Sequence, residues 1–358
     1  MQNNSERPLT QKQRIAVIFG GHSPEYDVSL KSAYSVITHI DNSKYELVML
    51  GITKSGKWLR FSGDQKKVYD DTWNNQTDCV SAIVSPCRET QGLLEFSNGE
   101  IHKVKLDAAM PILHGKNGED GTLQGLLELA GIPIVGCNTL SSALCMDKDR
   151  AHKLISLAGI KVAQSLVIDK NTDVNSAMQQ AEKFCYPMFV KPVRAGSSFG
   201  ITKVANKDEF PTALQRAFEH DNMAIIEENI TGVEIGCAIL GSDELIVGEL
   251  DEIELDEGFF DYKEKYTLET SNIHVPARIP APKAAEIKNT AKIIYNALGC
   301  SGFARVDMFL TPSGEIYFNE VNTIPGFTLH SRYPNMLKAI GMTFEQVVNK
   351  AIELTINT

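Results

Sequence analysis

Short apolar runs that alternate with loops and helix-like segments constrain the fold of this chain more than any other feature. The opening run, residues 14–20, ends in two glycines, and residues 28–40 then carry apolar side chains at helical spacing. A strand, a tight loop and a helix in succession indicate an α/β fold. We therefore predict a doubly wound α/β lobe over residues 1–136, with a last short strand at 132–135. Residues 63–100 are less regular and are interpreted as an insertion or a ragged sheet edge.

The length of the chain requires more than one folded unit. One hydrophobic core usually stops growing near about 250 to 300 residues, and this chain has 358. Residues 137–229 alternate helical and strand-like segments, beginning with a predicted helix at 141–158, and form a predicted central unit. Residues 230–358 form a third unit, in which the polar, aromatic stretch 256–272 interrupts the strand pattern. So long an interruption in a compact lobe suggests a functional lid.

Composition disfavours several classes of protein. The formal net charge of −10 argues against nucleic-acid and anionic-membrane partners, since both need basic faces. The seven cysteines contain no C-x-x-C pair, which argues against a disulfide framework and a zinc site. No apolar run approaches the roughly 20 residues that span a bilayer. We predict a cytoplasmic protein without membrane or nucleic-acid partners.

Two short motifs near the end of the chain point to a metal site. Arg305-x-Asp307 and Glu320-x-Asn322 lie on two β-like runs that flank a turn at 312–314, so they predict a hairpin. Side chains two positions apart on a strand share a face. Pairing the strands can therefore gather three oxygen-bearing side chains and a guanidinium, a set that suits magnesium bridging nucleotide phosphates. On spacing alone, a surface hairpin with alternating charges remains the alternative.

A loop of small residues points to phosphate binding. Lys191 ends a strand-like run, and Gly196, Ser197 and Ser198 follow it. Backbone N–H groups and hydroxyls in such a loop can close on phosphate oxygens. The loop is not a Walker A sequence, and a simple turn rich in Gly and Ser remains the alternative. Lys148 by itself is typical of a solvated helix lysine.

In combination these motifs closely resemble the D-alanine:D-alanine ligase family of the ATP-grasp superfamily, nearly from end to end. Within it the chain looks most like the VanG-type D-alanine:D-serine ligases of vancomycin resistance. The motifs that carry the resemblance are Gly20-Gly-His-Ser-Pro-Glu25-Tyr-Asp-Val28-Ser29, His114-Gly-Lys-Asn-Gly-Glu119-Asp-Gly, Lys148, Lys191 with its serine loop, Tyr262-x-x-Lys265-Tyr266, Arg305-x-Asp307 and Glu320-x-Asn322-x-x-Pro325-Gly326. The resemblance implies an ATP-grasp fold with an N-terminal doubly wound pre-ATP-grasp lobe, and a homodimer.

The resemblance also implies a role for each matching residue. Residues implied at ATP are Lys148, Phe189, Lys191, Ser197, Ser198, Glu227, Glu234, Lys265 and Phe309, and those implied at two Mg²⁺ (or Mn²⁺) ions are Asp307, Glu320 and Asn322. Residues implied at the first D-alanine are Glu25, Val28 and His114, with Glu25 supported by a hydrogen-bond chain through Ser197 and Tyr266. Arg305 and the N–H of Gly326 would stabilise the oxyanion that forms when the second amine attacks a D-alanyl phosphate.

The family uses three acceptors: D-alanine, D-lactate and D-serine. Tyr266 argues against D-lactate, because the D-lactate ligases depart from the Lys-Tyr pattern of the lid. Arg332, beside Ser331 at the acceptor end, stands where ordinary D-alanine ligases carry an apolar residue. As an unpaired buried donor it would favour an acceptor with a hydroxyl. We predict D-Ala-D-Ser as the product, with D-Ala-D-Ala as the alternative, and a structural salt bridge as the other explanation of Arg332.

Two alternative functions, a nucleotide sensor and a different ATP-grasp enzyme, remain to be considered. A nucleotide sensor that keeps the ATP-grasp fold without acceptor chemistry has no need for the complete set of Glu25, Lys265 and Arg305. A biotin-carboxylase-type or purine-synthesis ATP-grasp enzyme shares the nucleotide lobe but does not predict the Glu25 loop or the Lys265-Tyr266 lid. Both are therefore disfavoured against a ligase.

Overall fold

The computed structural model describes residues 12–75, 77–255 and 271–357 of the chain. Within these residues no helix combines the length and the apolar character needed to cross a bilayer. The lid residues Tyr262, Lys265 and Tyr266 lie outside the described part of the chain. The described residues contain three β-sheets, of seven, four and six strands.

The first sheet belongs to the N-terminal lobe. Its strands are β1 (Gln13–Gly20), β2 (Tyr45–Ile52), β3 (Trp58–Phe61), β4 (Cys79–Val84), β5 (Gly92–Ser97), β6 (Glu100–Lys105) and β7 (Ala108–Ile112). β1 lies between β2 and β7 and pairs with both in parallel. Strands β3 to β6 extend the sheet by antiparallel pairing. The irregular stretch 63–100 therefore contributes strands to the sheet edge.

Helices cover both faces of this sheet. The helices of the lobe are α1 (Tyr26–Ile37), α2 (Lys66–Tyr69) and α3 (Thr122–Ala130). Because neighbouring side chains of a strand point to opposite faces, Val17 of β1 packs in one core with α1, and Ile18 packs in another with α3. The strand predicted at 132–135 is reduced to one bridge, between Ala109 and Ile134. Pro133 has no N–H to extend the pairing.

The central unit contains the four-stranded sheet. Its elements are α4 (Thr139–Met146), α5 (Lys148–Leu157), β9 (Ser165–Asp169), α6 (Val174–Ala181), β10 (Met188–Pro192), β11 (Thr202–Val204), α7 (Phe210–Phe218) and β12 (Met223–Glu228). Between α5 and β9 lies the short β8 (Lys161–Val162), which belongs to the third sheet. The single helix predicted at 141–158 is wrong. The chain breaks at Asp147, whose backbone is extended and whose side chain accepts the Arg150 N–H at 3.0 Å and so caps α5.

The third sheet carries the C-terminal unit. Its further elements are β13 (Val233–Leu240), β14 (Ile246–Leu255), β15 (Ser271–His274), α8 (Ala281–Ala297), β16 (Phe303–Leu310), β17 (Ile316–Asn322), α9 (Arg332–Lys338) and α10 (Phe344–Ile356). The sheet runs in the order β15-β14-β13-β16-β17-β8. Helix α10 packs in the same core as α1, which attaches the end of the chain to the first lobe.

The hairpin of β16 and β17 matches the sequence prediction and adds a bulge. Arg305 pairs with Asn322 and Asp307 with Glu320, after which the register shifts so that Met308 pairs with Phe318. The register shift leaves Asn319 out of the pairing, so the alternation of β17 side chains between the two faces of the sheet changes by one residue there.

Candidate active site

The first part of the site joins the N-terminal lobe to the central unit. Glu25, at the start of α1, is 5% exposed and accepts a hydrogen bond from the Ser197 hydroxyl. Ser197 and Ser198 have φ angles of 47° and 60°, which non-glycine residues rarely adopt. A Cβ atom on Gly115 would stand only 2.1 Å from Glu25 Oε2. The carboxylate therefore fits closely between two loops of different units, with Val28 half-buried on the next turn of α1.

A second carboxyl, Glu119, lies beside Glu25. Its Oε2 accepts the N–H of Gly115 at 2.7 Å, and its Oε1 accepts the N–H of Ile324 at 3.2 Å. Burial raises the pKa of Glu119 to about 8, and the charge of Glu25 adds to the effect. Glu119 is therefore largely protonated near pH 7, and the charge of Glu25 provides the negative field at the place where the resemblance puts an ammonium group.

His114 is buried at 5% exposure and is held on both sides of its ring. Nδ1 lies 3.0 Å from the carbonyl oxygen of Ile324, and Nε2 lies 3.3 Å from the hydroxyl of Ser32. Burial lowers the pKa of His114 to about 4, and the charge of Arg305 lowers it further. The imidazole is therefore neutral near pH 7.

A cavity of about 540 Å³ lies between the central and C-terminal units. Lys191 donates to Glu227 at 2.6 Å and its ammonium lies 5.5 Å from the centre of the Phe189 ring. Burial alone would raise the pKa of Glu227, but the Lys191 charge outweighs it and holds the pKa below its usual value. The residues predicted at ATP that line this cavity are Lys148, Phe189, Lys191, Ser198, Glu227, Glu234 and Phe309.

The chemistry of this lining fits a nucleotide. Lysine ammonium groups complement phosphates, and aromatic rings suit a purine base. Buried Glu227 Oε1 has no hydrogen-bond partner among the described residues, so an amino group of a ligand would satisfy it. Ser197 lies apart from this lining and contacts Glu25, and Lys265 is outside the described residues.

The residues predicted to bind metal meet on one face of the β16–β17 hairpin. Asn322 Nδ2 lies 2.9 Å from Asp307 Oδ2, and the Arg305 guanidinium donates to the same carboxylate at 2.7 to 3.1 Å. In the described part of the chain no three His, Cys, Asp or Glu side chains cluster as a ready-made metal site. Two carboxylates and an amide oxygen still fit Mg²⁺, which usually takes one or two protein carboxylates and completes its shell with phosphate oxygens and water.

Arg332 occupies the centre of a buried ion cluster. Its Nε and Nη2 donate to Asp251 at 2.7 and 2.8 Å, and its Nη1 donates to Glu234 at 2.9 Å. Nη2 also lies 3.5 Å from Asp307 Oδ1. Burial would raise the pKa of Asp251, but the Arg332 charge outweighs burial and lowers it. The expectation that Arg332 is an unpaired donor is wrong, because carboxylates of β13 and β14 accept from it.

The acceptor end also contains Ser331 and Gly326. The Ser331 hydroxyl accepts the N–H of Thr328 at 3.0 Å, and a Cβ on Gly326 would lie 3.0 Å from that hydroxyl. The structure thus places the predicted oxyanion donor against a residue predicted to bind the acceptor.

Sequence reasoning gave no role to three buried residues of this region. Asp251 is fully buried and Ser32 is fully buried, and neither lies in a motif that suggests chemistry. Glu119 was part of a recognised motif, and its spacing of five residues from His114 in a glycine-rich loop was the one available signal.

Comparisons with known proteins agree with this geometry. Residues 14–137 match the family model for the D-ala D-ala ligase N-terminus, and residues 154–353 match that for the C-terminus. A crystal structure of the VanG D-Ala:D-Ser ligase from Enterococcus faecalis is 57% identical with a TM-score of 0.90, covering 96% of this chain and 100% of that one.

Two further relatives differ in the acceptor that their names give. A putative D-alanine–D-lactate ligase from Streptomyces coelicolor is 43% identical over 96% of this chain and 97% of its own length. A D-alanine–D-alanine ligase from Caldicellulosiruptor bescii is also 43% identical, over 96% of this chain and 95% of its own. The predicted family, enzyme class and ATP-grasp fold are confirmed. This chain belongs to the D-alanine–D-alanine ligase family, whose members are ATP-dependent ligases that form a peptide bond.

Proposed function

We propose that this enzyme is a D-alanine:D-serine ligase, which forms D-Ala-D-Ser through a D-alanyl phosphate and supplies modified peptidoglycan precursors for vancomycin resistance. The observation that carries the serine part is the 57% identity to the VanG D-Ala:D-Ser ligase along nearly the whole chain. The two relatives named for D-lactate and D-alanine are each 43% identical.

The geometry supports the first step of this reaction. Glu25 offers negative charge to the ammonium of D-alanine, and the Ser197 hydroxyl fixes the orientation of Glu25. The carboxylate of D-alanine can then attack the γ-phosphorus of ATP in the adjoining cavity, which breaks the bond to the bridging oxygen and releases ADP, while Lys148 and Lys191 neutralise phosphate charge. Alignment and charge neutralisation meet the needs of this step, so no protein nucleophile is required.

Bound metal would supply further neutralisation of the phosphates, held by Asp307, Glu320 and Asn322. In the second step the amine of D-serine attacks the acyl carbon and phosphate leaves. Arg305 and the N–H of Gly326 are proposed to stabilise the oxyanion of the tetrahedral intermediate.

Arg332 bears on the choice of acceptor through the carboxylates that it holds. Since its guanidinium is paired with Asp251 and Glu234, we propose that it shapes the acceptor subsite by fixing these carboxylates.

The test is a competition experiment. The enzyme receives ATP, Mg²⁺ and an equal mixture of D-alanine and D-serine near neutral pH, and mass spectrometry identifies the dipeptides. We expect D-Ala-D-Ser to predominate. Predominance of D-Ala-D-Ala would reject the serine assignment and leave a ligase of ordinary cell-wall synthesis. Phosphate release that does not depend on D-alanine would instead favour the nucleotide sensor.

A further inference from the structure

The loop that follows β17, residues 324–327, is held by three side chains of the N-terminal lobe. Glu119 Oε1 accepts the N–H of Ile324 at 3.2 Å, and the His114 ring bonds to the carbonyl of the same residue at 3.0 Å. Ser32 Oγ accepts the N–H of Phe327 at 3.3 Å. Both backbone groups of Ile324 and the N–H of Phe327 are therefore anchored to another unit of the protein.

The directions of these hydrogen bonds follow from their partners. A carbonyl oxygen can only accept, so His114 Nδ1 carries the proton of the neutral ring. Nε2 is then an acceptor, and the Ser32 hydroxyl donates to it at 3.3 Å. The chain of bonds runs from Phe327 through Ser32 and His114 to Ile324 and closes around the loop. In this arrangement the neutral ring has no remaining N–H for the carboxylate of a substrate.

Gly326 lies within the segment that this ring of hydrogen bonds encloses, one residue before Phe327 and two after Ile324. We propose that Ser32, His114 and Glu119 are positioning residues that hold the 324–327 loop with the Gly326 N–H aimed at the developing oxyanion. This inference rests on the proposed ligase reaction and assigns His114 to the loop, where the family resemblance assigns it to the first substrate. A donor held in place before the reaction stabilises the transition state without reorganisation.

The experiment compares two buried serines of α1 in the full-length enzyme. Ser32→Ala removes the hydroxyl that bonds to Phe327 and His114 in this ring of hydrogen bonds. Ser29→Ala is the matched control, because Ser29 is also fully buried and bonds to the backbone, at Gly20 and Ile112, but does not contact the loop. His114→Ala and His114→Asn form a second pair, since an asparagine amide can replace the Nδ1 donor.

Two measurements separate the possible outcomes. The first is the ratio of dipeptide to ADP at saturating amino acids, with the KM for the first D-alanine. We expect Ser32→Ala and His114→Ala to lower the ratio at least about tenfold, because a small misplacement of a catalytic group can have such an effect. The KM should not change, and His114→Asn should restore part of the ratio. A raised KM with an unchanged ratio would show that the ring binds substrate, and would overturn the proposal.

The second measurement is amide hydrogen exchange of the peptide that contains residues 324–327, without any substrate. Exchange at Phe327 should become at least about tenfold faster in Ser32→Ala and stay unchanged in Ser29→Ala, since the Phe327 amide loses its acceptor only in the first. Equal exchange in both variants would overturn the proposal even in a protein with no ligase activity. Failure of the wild-type enzyme to make dipeptide would reject the proposed function alone.

Discussion

Replacing Arg332 with methionine should destabilise the protein strongly, because the change leaves a buried carboxylate without its cation. Asp251 is 0% exposed and receives two of the Arg332 hydrogen bonds. Without Arg332, the N–H of Gly236, at 2.9 Å, is the remaining hydrogen-bond donor to Asp251 among the described residues. Removing one partner of a buried ion pair typically costs about 3–5 kcal/mol. Methionine keeps an unbranched side chain that can fill the space.

Urea unfolding at pH 7 measures this loss as a change in the free energy of unfolding. The double variant Arg332→Met/Asp251→Asn should recover much of it, because the uncompensated charge has gone. Arg14→Met is the control: its partner Glu46 is 43% exposed, and ion pairs that reach solvent contribute little. A loss below about 1 kcal/mol in Arg332→Met, or no recovery in the double variant, would refute the reasoning. The dipeptide ratio of Arg332→Met is informative only at temperatures where the variant is folded.

Three further predictions follow from the same geometry. The pKa of His114 is lowered from 6.5 to about 4, so the unfolded state binds a proton that the folded state does not, and the contribution of His114 alone should lower the stability by about 3 kcal/mol from pH 7 to pH 4. Urea unfolding across this range should show a smaller loss in His114→Asn, and equal losses would contradict the assignment. Gly115→Ala should raise the KM for the first D-alanine at least about tenfold by displacing Glu25. Gly125→Ala, whose added Cβ meets its nearest neighbour at 3.7 Å, should leave that KM unchanged. Asp307→Asn should raise the Mg²⁺ concentration for half-maximal phosphate release more than about tenfold, and an unchanged requirement would move the metal elsewhere.

The sequence predicted well where a local rule decides the structure. Side-chain alternation put Arg305 with Asp307 on one face, and Glu320 with Asn322 likewise. The turn at 312–314 predicted the antiparallel hairpin that brings the two pairs together. Neighbouring helices were harder to divide. The run at 141–158 has continuous helical character, and only the capping geometry of Asp147 shows that two helices meet there.

The sequence was least informative about contacts between distant segments. Arg332 and Asp251 are 81 positions apart, and the sequence around either residue does not indicate that they form an ion pair. Apolar periodicity shows which residues are buried but not which charges are buried with them, since a buried ion pair depends on the packing of separate elements. The partnership of Ser32 with Phe327 was hidden for the same reason.

The bulge in β17 affects how this hairpin should be aligned with relatives of different length. Phe318 and Val321 are three positions apart and both belong to the core, an arrangement that a regular strand forbids and that the skipped Asn319 permits. A relative with one residue fewer could lose the bulge and keep Glu320 opposite Asp307. An alignment that placed its gap in the turn at 312–314 would leave Glu320 and Asn322 correctly matched but would shift residues 315–318 by one position, so that the core residue Phe318 would be matched to a residue of the opposite face. The gap belongs at residue 319.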